Sequence, residues 1–358
     1  MPSLNPFADI PRIMTSEEII EFAHNRSLRK NVKSSLRIAR LERTRIREIS
    51  RTQEFSAQVK AKLREAVESF PSLERLHPFY LELAEILVGI DRLKQALGAI
   101  FNCIALIDRI VGSEIVAMKR ATEPEQIKRL RSAAKGRVSS LLRETSGNLD
   151  TVIKAKTMMA SLPGVDPNSP TIVCAGFPNV GKSTLVKAVS TAEPEIAYYP
   201  FTTREVIVGH MTVDNNVIQV VDTPGILDRS MSKRNQIERQ AIAALKYLAN
   251  VVIFMMDPSE TCGWPFDEQL NLYNEVRRMF AVSPMIVVFN KVDITPPEQL
   301  AAARSRVPGA REIVASEGLG VQDLMIEALD SVDLSSMKES VRKYLSALPR
   351  GESRPSDT

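Results

Sequence analysis

The residues Gly176-Phe177-Pro178-Asn179-Val180-Gly181-Lys182-Ser183 directly follow the apolar run Thr171–Ala175. That order of residue types is what a bound polyphosphate requires. Glycines let successive backbone N–H groups turn inward, and the helix expected to start here adds its positive end. Lys182 would reach the β- and γ-phosphates, and the Ser183 hydroxyl would ligate Mg²⁺. An ordinary turn needs none of these constraints together, so the phosphate reading is preferred.

Four further stretches carry complementary chemistry. Val217–Val221 delivers Asp222 to a strand end, followed by Thr223-Pro224-Gly225. Asp222 can hold the metal through water, and the Gly225 N–H can sense a γ-phosphate. Phe289-Asn290-Lys291-Val292-Asp293 ends another apolar run. The Asp293 carboxylate can accept two hydrogen bonds from guanine N1–H and its 2-amino group, whereas adenine would leave a charge unpaired. Lys291 can lie over the base and Asn290 can brace the loop. Near Val314-Ala315-Ser316 a backbone N–H, assigned to Ala315, can meet guanine O6. Between the first two motifs, Tyr199-Pro200-Phe201-Thr202-Thr203-Arg204 offers a hydroxyl that would complete the Mg²⁺ shell only when a γ-phosphate is present. Ile226 follows Gly225 and cannot orient an attacking water, so a low basal hydrolysis rate is expected.

These motifs need elements to position them. Runs at 171–175, 206–213, 217–221, 251–256 and 285–289 predict strands, with helices at 182–190, 234–249 and 266–280. Alternation of this kind implies a mostly parallel sheet covered on both faces. A hairpin over Asp214-Asn215-Asn216 would add one antiparallel edge strand. Residues 1–160 instead predict helix nearly throughout. Thr15-Ser16-Glu17-Glu18 has capping-box form, 26–69 contains no Pro or Gly, and Pro78 opens a helix that Gly89 closes. An apolar helix from Asp91 is expected to end near Gly112, and another runs from Pro124 to about Ala160, bent at Ser146-Gly147. The expected fold is an N-terminal antiparallel helical bundle (1–162), a Pro-rich linker (163–170), a P-loop α/β domain (171–333), a C-terminal helix (334–348) and a disordered tail (349–358).

Charge divides along the same boundary. Residues 1–168 hold 28 Lys and Arg against 20 Asp and Glu, while the remainder is mildly acidic. Within 26–51 there are ten Lys and Arg against two Glu, and Arg26, Arg29, Lys30, Lys33, Arg37, Arg40 and Arg47 recur at helical spacing. One Arg-rich stripe on a continuous helix would fit a phosphate backbone through counterion release, and folded RNA through its shape. A membrane is disfavoured because no apolar run approaches spanning length and the helix lacks interfacial Trp. The N-terminus has no secretory pattern, and three scattered cysteines lack metal spacing, so a cytoplasmic setting is expected. His77, Tyr80, Trp264 and the Met255-Met256 pair are assigned to packing.

Together these motifs resemble an Obg-related GTPase, and more narrowly the nucleolar GTP-binding protein branch that assists large ribosomal subunit assembly. The marks are Gly176 through Thr184, Tyr199 through Thr203, Val208-Gly209-His210, Asp222 through Asp228 and Arg234 through Ile242, with Asp9-Ile10-Pro11, His77 through Tyr80 and Ala96-Leu97-Gly98 in the helical half. The chain lacks the large extra C-terminal region of longer nuclear members and resembles a compact archaeal-type member. The resemblance implies that Gly176, Asn179, Val180, Gly181, Lys182, Ser183, Thr184, Asn290, Lys291, Asp293 and Ala315 contact GTP or GDP. It also implies Ser183, Thr203 and Asp222 around Mg²⁺, with Lys182, Thr203 and Gly225 acting at the γ-phosphate. In the family the second Thr of the Phe-Thr-Thr run is the metal ligand, hence Thr203. It further implies K⁺ held by Asn179, a ribosomal RNA or large-subunit precursor as partner of the helical half, and a monomer off the ribosome. A GTPase of RNA modification or translation, or a GTP-sensing scaffold that scarcely hydrolyses, remains open.

Overall fold

The computed structural model of the chain describes residues 5–30, 39–162, 164–198, 205–213, 216–223, 227, 234 and 236–331. Thr203, Gly225, Ile226, Lys33, Arg37, the expected helix at 334–348 and the tail lie outside the described residues. Two compact units are present. One comprises Pro6–Leu76 and Leu87–Ala160; the other comprises His77–Ile86 and the sheet-bearing remainder from Ser161. The helix opened by Pro78 therefore belongs with the sheet rather than with the helices around it in sequence.

The helical unit contains α1 (Ser16–Arg29), α2 (Arg40–Glu68), α4 (Ile90–Arg120), α5 (Pro124–Glu144) and α6 (Ser146–Ala160). The capping box forms as its residue types require: Glu18 N donates to Thr15 Oγ1 at 3.4 Å, and Thr15 N donates to Glu18 Oε2 at 2.9 Å. α2 packs on α1, α4 and α5, and α4 packs on α2, α5 and α6. Phe55, Val59 and Leu63 of α2 and Leu93, Ile100 and Ile107 of α4 are buried in this core. Each such side chain contributes about 1.5–3 kcal/mol by leaving water.

Three expectations for this unit are corrected. The continuous basic helix from 26 is interrupted, because α1 stops at Arg29 and Lys30 is extended at φ −62°, ψ 108°. A stripe needs one helix axis, so Arg26 and Arg29 lie on a different element from Arg40 and Arg47. α4 runs through Gly112 to Arg120, since Val111, Glu114 and Met118 continue its buried face. A single glycine costs a helix only about 0.5–1 kcal/mol, less than that burial returns. α4 is also long and apolar enough to cross a membrane by composition, with mean hydropathy 1.5 over eighteen residues. Within the helical unit it buries nine residues and pairs Glu114 with Arg137 at 2.6 Å.

In the second unit a seven-stranded sheet has the order β2-β3-β4-β1-β5-β6-β7. Its strands are β1 (Thr171–Ala175), β2 (Glu195–Tyr198), β3 (Glu205–Val213), β4 (Asn216–Asp222), β5 (Val251–Met256), β6 (Met285–Phe289) and β7 (Arg311–Glu312). β4, β1, β5, β6 and β7 are mutually parallel. The antiparallel strand, β3, lies one place in from the edge, because β2 pairs outside it. Every residue of β1 and β5 is buried, as expected of parallel strands covered on both faces. The helices of this unit are α3 (Pro78–Val88), α7 (Lys182–Val189), α8 (Gln236–Ala244), α9 (Phe266–Met279), α10 (Pro297–Arg306) and α11 (Val321–Asp330).

Candidate functional site

The parallel strands present their carboxyl ends on one side of the sheet, and the motifs among the described residues begin at such ends. Gly176 follows β1, Asp222 ends β4, Asp257 follows β5 and Asn290 follows β6. Ligands of open α/β sheets bind beyond these ends. The loop after β1 needs its glycines. At Gly176 (φ +136°) a Cβ would sit 2.3 Å from the Met255 carbonyl oxygen, and at Gly181 (φ +107°) it would sit 2.1 Å from Asn290 Nδ2. Asn179 is also left-handed, at φ +62°. Lys182 starts α7 and folds its ammonium onto the carbonyls of Gly176 and Phe177, both at 2.9 Å. The Ser183 hydroxyl donates to Asp222 Oδ2, and Thr223 Oγ1 ties the end of β4 to Cys174 O at 2.8 Å. A hydroxyl and a carboxylate are the hard oxygen donors that Mg²⁺ takes, so the described residues fit that ion.

Asn290 is buried and fastens three segments. Its backbone N–H donates to Met256 O at 2.9 Å, its Nδ2 donates to Val180 O at 2.8 Å, and its Oδ1 accepts the Ala315 N–H at 2.9 Å. Lys291, left-handed at φ +62°, donates its ammonium to Asp257 Oδ2 at 2.8 Å and to Thr261 Oγ1 at 3.0 Å. Asp257 is fully buried and accepts from Ser259 N and Oγ, Thr261 Oγ1 and Cys262 N as well. Burial alone would raise its pKa, but the bonds from Lys291 and Ser259 outweigh it and hold the carboxyl below the ordinary aspartate value. Asp293 is exposed and has no protein partner for its carboxylate among the described residues.

These groups line one cleft of about 520 Å³, bounded by Asn179, Gly181, Lys182, Ser183, Thr184, Asn290, Lys291 and Asp293 together with Pro178, Ile294 and Ser316. That is the size of an ordinary small-ligand site. The phosphate-type residues and the base-type residues are thus brought together. Val180 and Ala315 are buried behind the wall, each held by Asn290. The Ala315 N–H expected at guanine O6 is already committed to Asn290 Oδ1, and Ser316 is the residue of that loop lining the cleft.

Comparison with known families gives two matches. The model of the NOG1 N-terminal helical domain matches residues 7–166. That of nucleolar GTP-binding protein 1 matches residues 236–293. An uncharacterised protein of Methanocaldococcus jannaschii is 37% identical over 300 residues, covering 83% of each chain. The chain belongs to the nucleolar GTP-binding protein 1 family. Its relative in Drosophila melanogaster is 33% identical over 308 residues, covering 85% of this chain and 47% of the other. The relative in Caenorhabditis elegans is 36% identical over 309 residues, covering 84% and 45%. The chain therefore spans about half the length of these two family members.

Within this NOG1-family site, sequence reasoning passed over Asp257, and it assigned Trp264 to packing without naming what it packs on. Trp264 stacks on Phe177 of the phosphate-type loop, with ring centroids 4.4 Å apart and an interplanar angle of 27°. Buried Gln269 receives Asp257 N at 2.7 Å and donates to Trp264 O at 2.9 Å, fixing the segment between them. The signal was present: an aspartate directly after an all-apolar strand occupies the same strand-end position as Asp222.

Proposed function

We propose that this NOG1-family chain binds GTP and GDP with Mg²⁺, hydrolyses GTP slowly, and acts as a nucleotide-gated assembly factor on the large ribosomal subunit. The observation carrying the proposal is the single cleft that holds a glycine-turned loop with Lys182 at one end and the unpaired Asp293 carboxylate at the other. Gly176–Thr184 would cradle the phosphates, and Lys182 would exchange its two carbonyl partners for phosphate oxygens. Mg²⁺, when bound, would neutralise charge on the β- and γ-oxygens, with Ser183 and Asp222 as its holders and Thr203 as the third donor. Asp293 would read guanine, Lys291 would cover the base, and Asn290 would keep both loops in register. Thr203 and Gly225 would respond to the γ-phosphate. With Ile226 supplying no hydrogen bond to water, turnover would stay low until RNA or K⁺ at Asn179 adds the missing positioning.

The helical unit, with its excess of cations, would make the RNA contact, and its grip would follow the nucleotide state of the other unit. Two measurements test the reading. Calorimetry in magnesium buffer is expected to show GDP and GTP binding with no ATP binding; absence of both guanine nucleotides removes the proposal. Sedimentation with large-subunit precursors is expected to retain more protein with a non-hydrolysable GTP analogue than with GDP. Equal retention removes the gating.

A further inference from the structure

The helical unit contains a second cavity, of about 310 Å³, between α1, α2 and α5. Its walls bring together His24 from α1, Arg51 and Phe55 from α2, and Arg131 and Lys135 from α5. Among the described residues, the carboxylate paired with these cations is Glu48, which is 2% exposed. That single charge is shared three ways: Arg47 Nε at 2.9 Å, Arg131 Nε at 3.2 Å and Arg51 at 3.9 Å. Lys135 has no hydrogen-bonding or ionic partner among the described residues. Positive charge therefore exceeds negative charge in a partly enclosed space floored by the buried ring of Phe55.

Such an arrangement is unfavourable by itself. Burial and the neighbouring Arg131 lower the Lys135 pKa, and burial with Lys135 and Arg131 lowers that of His24. Cations on a solvated helix face can spread apart or find carboxylates, as Lys30 does with Glu54, Lys128 with Glu125 and Arg143 with Glu17. Arg51, Arg131 and Lys135 converge on one cavity, where the two arginines share Glu48 with Arg47. A tetrahedral oxyanion accepts several N–H donors at once, and guanidinium forks match its geometry. The volume equals that of several waters, enough for one phosphate group.

We propose that this cavity is a phosphate-binding site at which the helical unit takes one backbone phosphate of an RNA strand. This rests on the reading that the helical unit contacts RNA, and it assigns that contact a fixed point rather than a diffuse basic face.

The test uses the full chain and a fluorescein-labelled RNA stem-loop, with binding followed by anisotropy over a range of KCl concentrations. Lys135→Gln is the informative variant, because Lys135 has no partner among the described residues whose loss would unsettle the fold. Lys128→Gln, on the same helix but outside the cavity, is the control of equal charge. Lys135→Gln is expected to weaken RNA binding about five- to tenfold and to reduce the salt dependence by about one phosphate contact. Lys128→Gln is expected to change affinity less than about twofold. Equal effects of the two variants would overturn the site while leaving RNA binding by the helical unit intact. Should the wild-type chain bind no RNA, that wider reading fails, and thermal unfolding with inorganic phosphate decides the cavity. Stabilisation of the wild type but not of Lys135→Gln would keep a phosphate site and reject RNA as its source. Equal stabilisation of both would reject the site altogether.

Discussion

Asn290 holds Ala315 through its side-chain oxygen, which accepts the Ala315 N–H at 2.9 Å. The same amide donates to Val180 O at 2.8 Å, so one buried side chain couples the loop after β1 to the loop after β7. Replacing it with alanine strands a buried N–H and a buried C=O. Each such loss costs about 1–3 kcal/mol. Asn290→Ala is therefore expected to weaken GDP binding about 10–100-fold without altering the preference for guanine over adenine. Titration with a fluorescent GDP analogue checks the first part and competition with ATP the second.

Asp293 is the opposite case, an exposed carboxylate lining the cleft with no protein partner among the described residues. Xanthine carries a carbonyl where guanine carries its 2-amino group, so an amide at position 293 can donate where the carboxylate accepted. Asp293→Asn is expected to lose at least about 100-fold in GTP affinity and to gain binding of xanthosine triphosphate. Competition between the two nucleotides measures this directly, and an unchanged preference for GTP would remove the carboxylate from base recognition.

Lys291 and Asp257 form a pair whose partners differ in exposure: the Asp257 side chain is fully buried and that of Lys291 is 24% exposed. The Asp257 carboxyl titrates below the ordinary aspartate value, because the bonds from Lys291 and Ser259 overcome the effect of burial. A folded-state pKa below the unfolded one gives stability that is complete above the unfolded value and lost as pH falls through the folded value. The stability difference between wild type and Asp257→Asn is thus expected to be flat from about pH 5 to 8 and to shrink only below about pH 4. Urea unfolding across that range tests it. Nucleotide release from Asp257→Asn should also quicken, by about tenfold, since Lys291 loses the charge that holds it.

How far the sequence led depended on the range of the interaction. β1, β5 and β6 were readable to the residue, because a buried parallel strand is an unbroken apolar run between turn signals. The capping box at Thr15 and the strand-end positions of Asp222 and Asn290 were equally local. The break after Arg29 was not, since no Pro or Gly marks it and its weak helix formers Asn31, Val32, Ser34 and Ser35 lie between Lys- and Arg-rich stretches. Gly112 misled in the other direction, because packing along α4 outweighs a local glycine. β2, with its four residues and an exposed Ile196, offers little periodicity and displaced β3 from the edge. Asp257 and Trp264 lie outside any phosphate or base motif, and their partners Lys291 and Phe177 are 34 and 87 residues away in the chain. The pairing of Arg51, Arg131 and Lys135 around one cavity is likewise a product of packing, because α2 and α5 are far apart in sequence.

Tyr80 was assigned to packing, and its ring is indeed buried, but its hydroxyl has a second task. It donates to Val165 O at 2.8 Å and accepts from Val165 N at 3.2 Å. The next residue, Asp166, is held in the same reciprocal way by Gln219 of β4, with Asp166 N to Oε1 at 2.9 Å and Nε2 to Asp166 O at 2.7 Å. Two side chains thereby satisfy four backbone groups of the segment leading into β1, groups that no sheet or helix ladder reaches. Tyr80→Phe keeps the packed ring and leaves both Val165 groups buried without a partner. It is expected to destabilise the sheet-bearing unit by about 1–3 kcal/mol. Tyr247→Phe, altering a ring that is 39% exposed, should be neutral. Urea unfolding followed by the emission of Trp264, the chain's single tryptophan, reports on this unit, and equal midpoints for the two variants would show that the hydroxyl does not hold the segment.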